Sequence, residues 1–363
     1  MRHLVSRRVI AVLVYAILAV APASAQPAKP RVRLVATGGT ISNKSGGRLT
    51  AAQLVDLVPG LDRYATPEYE QFSNLASGEL SLAQWVGLTR RINELFETDP
   101  SLAGIVVTSG TDTLEELAYF LDLTVHSDKP VVVVGSMRNP STLGYEGAAN
   151  LLDAFRVAAD PEARGQGVLV VLNDDINAAR EVTKTDALRL DTFKTPGYGV
   201  LGYVDRDRIT FYRHVTRKTT FQSEFDGSTL AAPLPRVDVL LVYQGAPGDL
   251  IKAAVDFGAK GIVIAAAGAG ATSGDQDAGL AYALSKGAIV VITTRTGSGR
   301  IAPPDGPSQP PPDDSPYAGL TTAQLGNEIA GEDLEPVKAR ILLMLALTKT
   351  HDPTRIQRMF EEY

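Results

Sequence analysis

The feature that most restricts this chain is a set of short, unbroken runs of β-branched and aliphatic residues that each close in small residues. Val32-Arg33-Leu34-Val35-Ala36-Thr37-Gly38-Gly39, Gly104-Ile105-Val106-Val107-Thr108-Ser109-Gly110 and Val131-Val132-Val133-Val134-Gly135-Ser136 are the first three, and Val168 to Leu172 makes a fourth. A strand with one wet face alternates apolar and polar residues, whereas a run without alternation is covered on both faces, as in a parallel sheet. Between the runs lie helical patterns, the clearest from Leu114 to Leu123, where Thr113 and Glu116 have capping-box spacing. A second set of runs follows at Val237 to Tyr243, Gly261 to Ala267 and Ala288 to Thr293; a helix from Leu334 to Leu347 then closes the core before a polar tail ending at Tyr363. The pattern predicts two α/β domains: a larger N-terminal one on a doubly wound, flavodoxin-like parallel sheet over 26–212, and a smaller C-terminal one over 236–363. Residues 213–235, polar and basic before Ala231-Ala232-Pro233-Leu234-Pro235, read as a linker. Ile301 to Pro316 holds seven prolines in sixteen residues, which excludes helix and central strand. It reads as a surface loop, with a substrate or subunit contact as the alternative.

Composition narrows the class. Apolar residues make up 44% and charged residues 21% of the 363, which excludes a disordered chain, a collagen-like fibre and a multi-span membrane protein. Acidic residues outnumber basic ones 41 to 35, and such a surface repels phosphate backbones, so nucleic acid is not an expected partner. There is no cysteine, which removes disulfides, thiolate catalysis, Cys-ligated metal and a lipidated-cysteine anchor.

Residues 1–25 read as a cleavable signal peptide. Met1 to Arg8 holds three arginines and no acid, Val9 to Val20 is a 12-residue apolar run, and Ala23-Ser24-Ala25 supplies a small-x-small cleavage site. The run is too short to cross a hydrocarbon core of ~30 Å; an uncleaved anchor is the alternative. Arg7-Arg8 resembles a twin-arginine signal, but the residues after it match poorly, which favours the general secretory route. Cleavage after Ala25 leaves 338 residues with 32 basic and 41 acidic. The expectation is a periplasmic or secreted protein with no membrane association after processing.

In open α/β sheets, ligands sit beyond the carboxyl ends of the strands. There the chain places Thr37-Gly38-Gly39-Thr40, Ser109-Gly110-Thr111-Asp112-Thr113 and Gly135-Ser136. Glycines let the backbone turn sharply and approach a ligand, and hydroxyls with free N–H groups surround it. The plainer reading is strand-to-helix punctuation, with Thr and Asp serving as N-caps. A threonine nucleophile needs a base or a strong local field. His3 lies in the leader, His126, His214 and His351 sit in polar contexts away from the strand ends, and no G-x-S-x-G occurs, so a Ser-His-Asp triad is not expected. A buried lysine whose pKa is lowered by desolvation is the remaining candidate. Lys184, within Glu181-Val182-Thr183-Lys184-Thr185-Asp186, fits that role; its plainer reading is a solvated surface lysine. Gly197-Tyr198-Gly199-Val200-Leu201-Gly202 fits G-x-G-x-x-G, yet no strand leads in and no helix leads out, so a dinucleotide site is not expected. Walker A and H-E-x-x-H sequences are absent, as are metal ligands at usable spacing, so no cofactor and no metal is implied.

Taken together these residues resemble the bacterial-type L-asparaginase and glutaminase-asparaginase family, particularly its exported type II members. The resemblance covers nearly the whole chain after residue 25. It is densest in Ala36-Thr37-Gly38-Gly39-Thr40-Ile41 and in Thr108-Ser109-Gly110-Thr111-Asp112-Thr113-Leu114-Glu115-Glu116. It continues through Ala118-Tyr119-Phe120-Leu121-Asp122, Val134-Gly135-Ser136-Met137-Arg138, Val182-Thr183-Lys184-Thr185, Gly202-Tyr203 and Ala339-Arg340. It implies hydrolysis of L-asparagine to L-aspartate and ammonia, with glutamine slower or competing, and no cofactor. By position it implies Thr40 as the nucleophile of a covalent acyl intermediate. Thr111, Asp112 and Lys184 become a second cluster, in which Lys184 and Asp112 polarise Thr111 or the attacking water. Ser77, in Asn74-Leu75-Ala76-Ser77-Gly78-Glu79, would hold the substrate carboxylate and Asp112 the α-ammonium, with Gly39, Gly110 and Ser136 completing the substrate-binding set. The resemblance also implies a homotetramer, a dimer of dimers, with each site between the N-terminal domain of one subunit and the C-terminal domain of its neighbour.

The chain departs from the family pattern in four places. Ser42-Asn43-Lys44-Ser45-Gly46-Gly47-Arg48 is shorter than the family's mobile loop and lacks its tyrosine. Gly78 stands where a polar residue follows the substrate serine, with Glu79 as a substitute. An asparagine expected in the second domain falls near Ala271, and the glutamate lent by a neighbouring subunit has no clear match, Asp305 being the nearest acid. The threonine–lysine–aspartate core is kept while the recognition shell changes, so amidohydrolase chemistry is better supported than asparagine specificity. A hydrolase of glutamine or another small amide on the same fold, and a periplasmic amino-acid-binding protein, stay open.

Overall fold

The computed structural model describes residues 28–303 and 310–363; the predicted signal peptide and Asp305 lie outside them. β1 (Arg31–Gly38), β2 (Thr66–Leu75), β3 (Leu102–Thr108), β4 (Val131–Val134) and β5 (Val168–Leu172) are parallel, in the spatial order β2-β1-β3-β4-β5. β6 (Asp175–Ala178), β7 (Gly202–Val204) and β8 (Ile209–Phe211) extend the sheet past β5 with antiparallel pairing. This is the doubly wound, flavodoxin-like order, and its winding reverses between β1 and β3. A separate four-stranded parallel sheet holds β9 (Val237–Leu241), β10 (Gly261–Ala266), β11 (Ile289–Thr294) and β12 (Glu328–Ala330). The predicted α/β class, with one large and one small sheet, is what the chain adopts.

The unbroken apolar runs have a direct physical explanation. Ile105, Val107, Val131, Val133, Val168 and Val170 join one core cluster, while Val106, Val132, Val134, Leu169 and Val171 join another. Side chains alternate between the two faces of a strand, so each run feeds both cores. The first core is closed by α1 (Leu82–Thr98) and α2 (Leu114–Thr124), the second by α3 (Gly147–Ala159). The first continues without a break into Val263, Ile289 and Val291 of the small sheet and into α4 (Pro336–Ala346).

Three features differ from expectation. β2 is a full-length strand, though six of the ten residues from Thr66 to Leu75 are polar. It is an edge strand paired only with β1, and its Glu68 and Glu70 are satisfied by Arg31, Arg33 and Arg91 instead of by a core. The capping box at Thr113 and Glu116 does not form: Thr113 makes no side-chain cap bond, and Glu116 is drawn instead toward Arg340 of α4 at 3.8 Å. The polar tail is helix α5 (Pro353–Glu362), which buries Ile356, Met359, Phe360 and Tyr363 along one stripe. Residues 213–235 are packed along this end of the molecule. Ser223 donates to Leu123 O at 2.6 Å, Gly227 N–H to Thr124 O at 3.0 Å, and the Phe225 and Tyr363 rings lie 5.3 Å apart.

Asp122 ties α2 to β5 by accepting the Val168 N–H at 2.7 Å. Burial pushes its pKa up to about 7 from 3.8. A carboxyl raised in the folded state binds its proton more tightly there than in the unfolded chain. Its stabilising contribution is complete below pH 3.8 and is lost as pH rises through about 7. Asp122→Asn should therefore flatten the fall in stability between pH 4.5 and 7.5, by at most about 4 kcal/mol. Urea unfolding at the two pH values measures this, and equal pH slopes for wild type and variant would refute it.

Candidate active site

The ends of β1 and β3 are tied together at the winding reversal. Thr37 Oγ1 donates to Thr108 O at 2.6 Å, and Thr37 N–H donates to Thr108 Oγ1 at 3.2 Å. The two hydroxyl-rich turns therefore emerge side by side, at the place where doubly wound sheets bind ligands. Bare backbone lets them touch. A Cβ on Gly39, where φ is +88°, would stand 2.3 Å from Gly110 N, and one on Gly110 would stand 2.7 Å from Ser77 Cβ. The loops after β1, β3 and β2 thus meet at Gly39, Gly110 and Ser77. Thr40, half-buried, opens a single 3-10 turn through Ser42, and Thr111, 5% exposed, faces the same junction from β3.

Lys184 completes the cluster. It lies in a two-residue ladder, Thr183–Lys184 paired with Phe193–Lys194, beyond β6. Its Nζ donates to Thr111 Oγ1 at 3.1 Å and to Asp112 Oδ1 at 2.7 Å. The side chain is 14% exposed, so it is not a solvated surface lysine, whereas that of Asp112 is 81% exposed. Behind it, Glu115 Oε1 accepts from Lys184 N–H and from Thr183 Oγ1, both at 3.2 Å.

The outer residues are less uniform. Ser77 is half-buried in the turn after β2. A Cβ on Gly78 would meet nothing within 4 Å, so the missing side chain leaves open space. Glu79 does not reach into that space: its Oε2 accepts the Ala76 N–H at 3.2 Å. Ser136 is fully buried and donates to Arg138 O at 2.6 Å, holding the loop after β4. Ala271 is exposed in the small domain, bridged to Ala267. Gly197 to Gly202 leads into strand β7 rather than a helix, unlike a dinucleotide-binding turn.

Sequence reasoning missed Tyr145. The shortened segment after Thr40 is a tight hairpin, Asn43–Lys44 paired with Gly47–Arg48. Ser45 N–H donates to Ser141 Oγ at 2.8 Å and Arg48 Nη1 to Gly39 O at 3.4 Å. From the loop before α3, the Tyr145 hydroxyl donates to Ile41 O at 2.9 Å. The turn that lacks a tyrosine of its own receives one from 104 residues away, a separation that carries no local signal. Burial and the neighbouring Glu146 raise the Tyr145 pKa, so its hydroxyl stays a donor.

Among the described residues no group of three or more His, Cys, Asp and Glu side chains is placed to hold a metal, and no helix is long and apolar enough to cross a membrane.

The sequence and the fold have close counterparts among known proteins. The N-terminal asparaginase domain matches residues 31–217 and the glutaminase/asparaginase C-terminal domain matches residues 236–360. The chain belongs to the asparaginase family. It is 43% identical over 353 residues to the L-asparaginase 2 of Bacillus subtilis (strain 168), covering 94% of this chain and 89% of that protein. With the L-asparaginase 2 of Escherichia coli (strain K12) it shares 39% over 346 residues, covering 93% and 94%. The crystal structure of a probable cytoplasmic L-asparaginase from Campylobacter jejuni matches with a TM-score of 0.80 at 40% identity, covering 93% of this chain and 100% of that one. The protein is an L-asparaginase-type amidohydrolase, in a family that hydrolyses asparagine and, in some members, glutamine.

Proposed function

We propose that the chain is exported, cleaved after Ala25, and hydrolyses L-asparagine to L-aspartate and ammonia through an acyl intermediate on Thr40. The observation that carries this reading is the double donation of Lys184 Nζ to Thr111 Oγ1 and Asp112 Oδ1, beside the Thr40 turn. Thr40 Oγ attacks the carboxamide carbon, and turn N–H groups beyond β1 and β3 stabilise the oxyanion. A hydroxyl that accepts a hydrogen bond from an ammonium is the better proton donor. Thr111 therefore gives its proton to the leaving nitrogen and takes up the one Thr40 sheds. The C–N bond breaks and ammonia leaves. Water then attacks the ester carbon, one of its protons returns to Thr40 Oγ through the same relay, and aspartate departs. The substrate is a zwitterion: Ser77 offers a donor to its carboxylate, and the Asp112 carboxylate has acceptor positions for both Lys184 and the α-ammonium.

Asp112 is 81% exposed although its partner lysine is nearly buried, so one side of the site stands open. We read that side as the place where a neighbouring subunit covers it in a homotetramer built as a dimer of dimers. The Campylobacter relative is described as cytoplasmic; the export reading rests on residues 1–25 alone. The space at Gly78 supports a second reading, a bulkier amide such as glutamine.

The test is ammonia release by residues 26–363 from asparagine and glutamine. Higher kcat/KM for asparagine is the expected result. A larger value for glutamine or another amide would move the assignment to the second reading, and no ammonia from asparagine would overturn the first.

A further inference from the structure

We infer that Lys338 of α4 is a positioning residue for Lys184: with Glu115 it fixes the backbone from Arg180 to Lys184, and so the place of the ammonium beside Thr111. This rests on the reading of Lys184 as a site residue proposed above.

Lys338 has no exposed surface, and its ammonium donates to two main-chain carbonyls, Arg180 O at 3.0 Å and Val182 O. Arg180 and Val182 lie on the turn that follows β6, closed by Glu181 N–H and Val182 N–H on Ala178 O, and one ammonium holds both of its outgoing carbonyls. The next residues are held from α2, where Glu115 Oε1 accepts Thr183 Oγ1 and Lys184 N–H. The other oxygen, Glu115 Oε2, is buried with no hydrogen-bond partner and lies 3.9 Å from Lys338 Nζ. A fully buried ammonium and a partly buried carboxylate, neither on the segment, thus grip four of its five residues. Burial, with Arg180 beside it, lowers the Lys338 pKa to about 8 against the opposing pull of Glu115, Glu335 and Glu181. A buried ion pair is a poor way to gain stability compared with apolar packing of equal volume. It is a good way to hold a backbone at a fixed place. Because α4 packs on the small sheet, the C-terminal half of the chain sets the position of a group in the N-terminal site.

The test uses Lys338→Met and Glu115→Gln in the chain from residue 26, with folding checked by circular dichroism. A misplacement near 1 Å costs up to about a hundredfold in rate. The expected result is therefore a kcat for asparagine about tenfold to a hundredfold lower, KM within about twofold, and a displaced alkaline limb of the kcat–pH profile. Loss of folded protein would only scale that profile. If Lys338→Met does not fold, Glu115→Gln decides, since it replaces one carboxylate oxygen by an N–H2 group, which can neither face the Lys338 ammonium nor accept the Lys184 N–H. Folded variants with wild-type kcat, or with a lowered but unmoved profile, overturn the inference. Lys184→Met in the same assay separates the failures: wild-type kcat there overturns the parent reading and this one together. Its inactivity beside fully active Lys338→Met and Glu115→Gln overturns this one alone.

Discussion

Thr40→Ala is expected to lower kcat for asparagine by about 10^4-fold or more, because without Oγ no acyl ester can form. Thr111→Val should lower it by about 10^2- to 10^4-fold, the usual worth of a positioned proton donor. Valine matches threonine in shape, and Thr111 is 5% exposed, so the fold should survive the exchange. The two variants separate the roles. With Thr111→Val the ester can still form slowly, so labelled substrate should leave covalent label on the protein after rapid quenching; with Thr40→Ala it should not. Label on Thr40→Ala, or a variant keeping a tenth of wild-type kcat, would transfer the nucleophile's role to another group.

Gly39→Ala should be strongly destabilising. Gly39 has φ +88° and ψ −175°, a region that side chains essentially never occupy, and the new Cβ would lie 2.3 Å from Gly110 N, an atom of backbone that has no rotamer to yield. Backbone strain and overpacking together should cost about 3–5 kcal/mol. Gly46 is the control: its φ is +79°, but a Cβ there meets nothing within 4 Å, so Gly46→Ala should cost only about 1 kcal/mol. Urea midpoints of the two variants make the comparison. Equal losses would mean that contact between the β1 and β3 turns contributes nothing.

The strands of the large sheet were legible because burial on both faces writes itself into consecutive residues, as in Val131 to Val134. The candidate site was placed for a related reason: Gly39 with Thr40, and Gly110 with Thr111, sit where those runs stop. β2 left no such mark, since an edge strand can satisfy Glu68 and Glu70 with arginines, and with it went the route by which Ser77 reaches the junction. α5 did leave a mark. Ile356, Met359, Phe360 and Tyr363 have helical spacing, but the charged residues between them disguise it. Tyr145 on Ile41, and Lys338 on the carbonyls of Arg180 and Val182, could not be read at all. Both join segments separated by more than a hundred residues, and no local pattern encodes a partner so distant. Glu116 shows the converse: a correct local rule lost to Arg340, a tertiary partner.

The hairpin beside Thr40 bears on how the protein meets proteases. Proteases cut exposed tips that open locally into extended chain. Lys44 and Arg48 are the bonds a trypsin-like enzyme would seek here, and both lie in the paired ladder. Its turn is anchored on Ser141, and its far strand is anchored on Gly39 O through Arg48 itself. Opening either bond to attack means breaking the contacts that also shape the Thr40 turn. A long swinging cover would have offered the same residues freely. The short tethered one leaves the polypeptide next to the first threonine hard to nick, and what endures there is the part on which turnover depends.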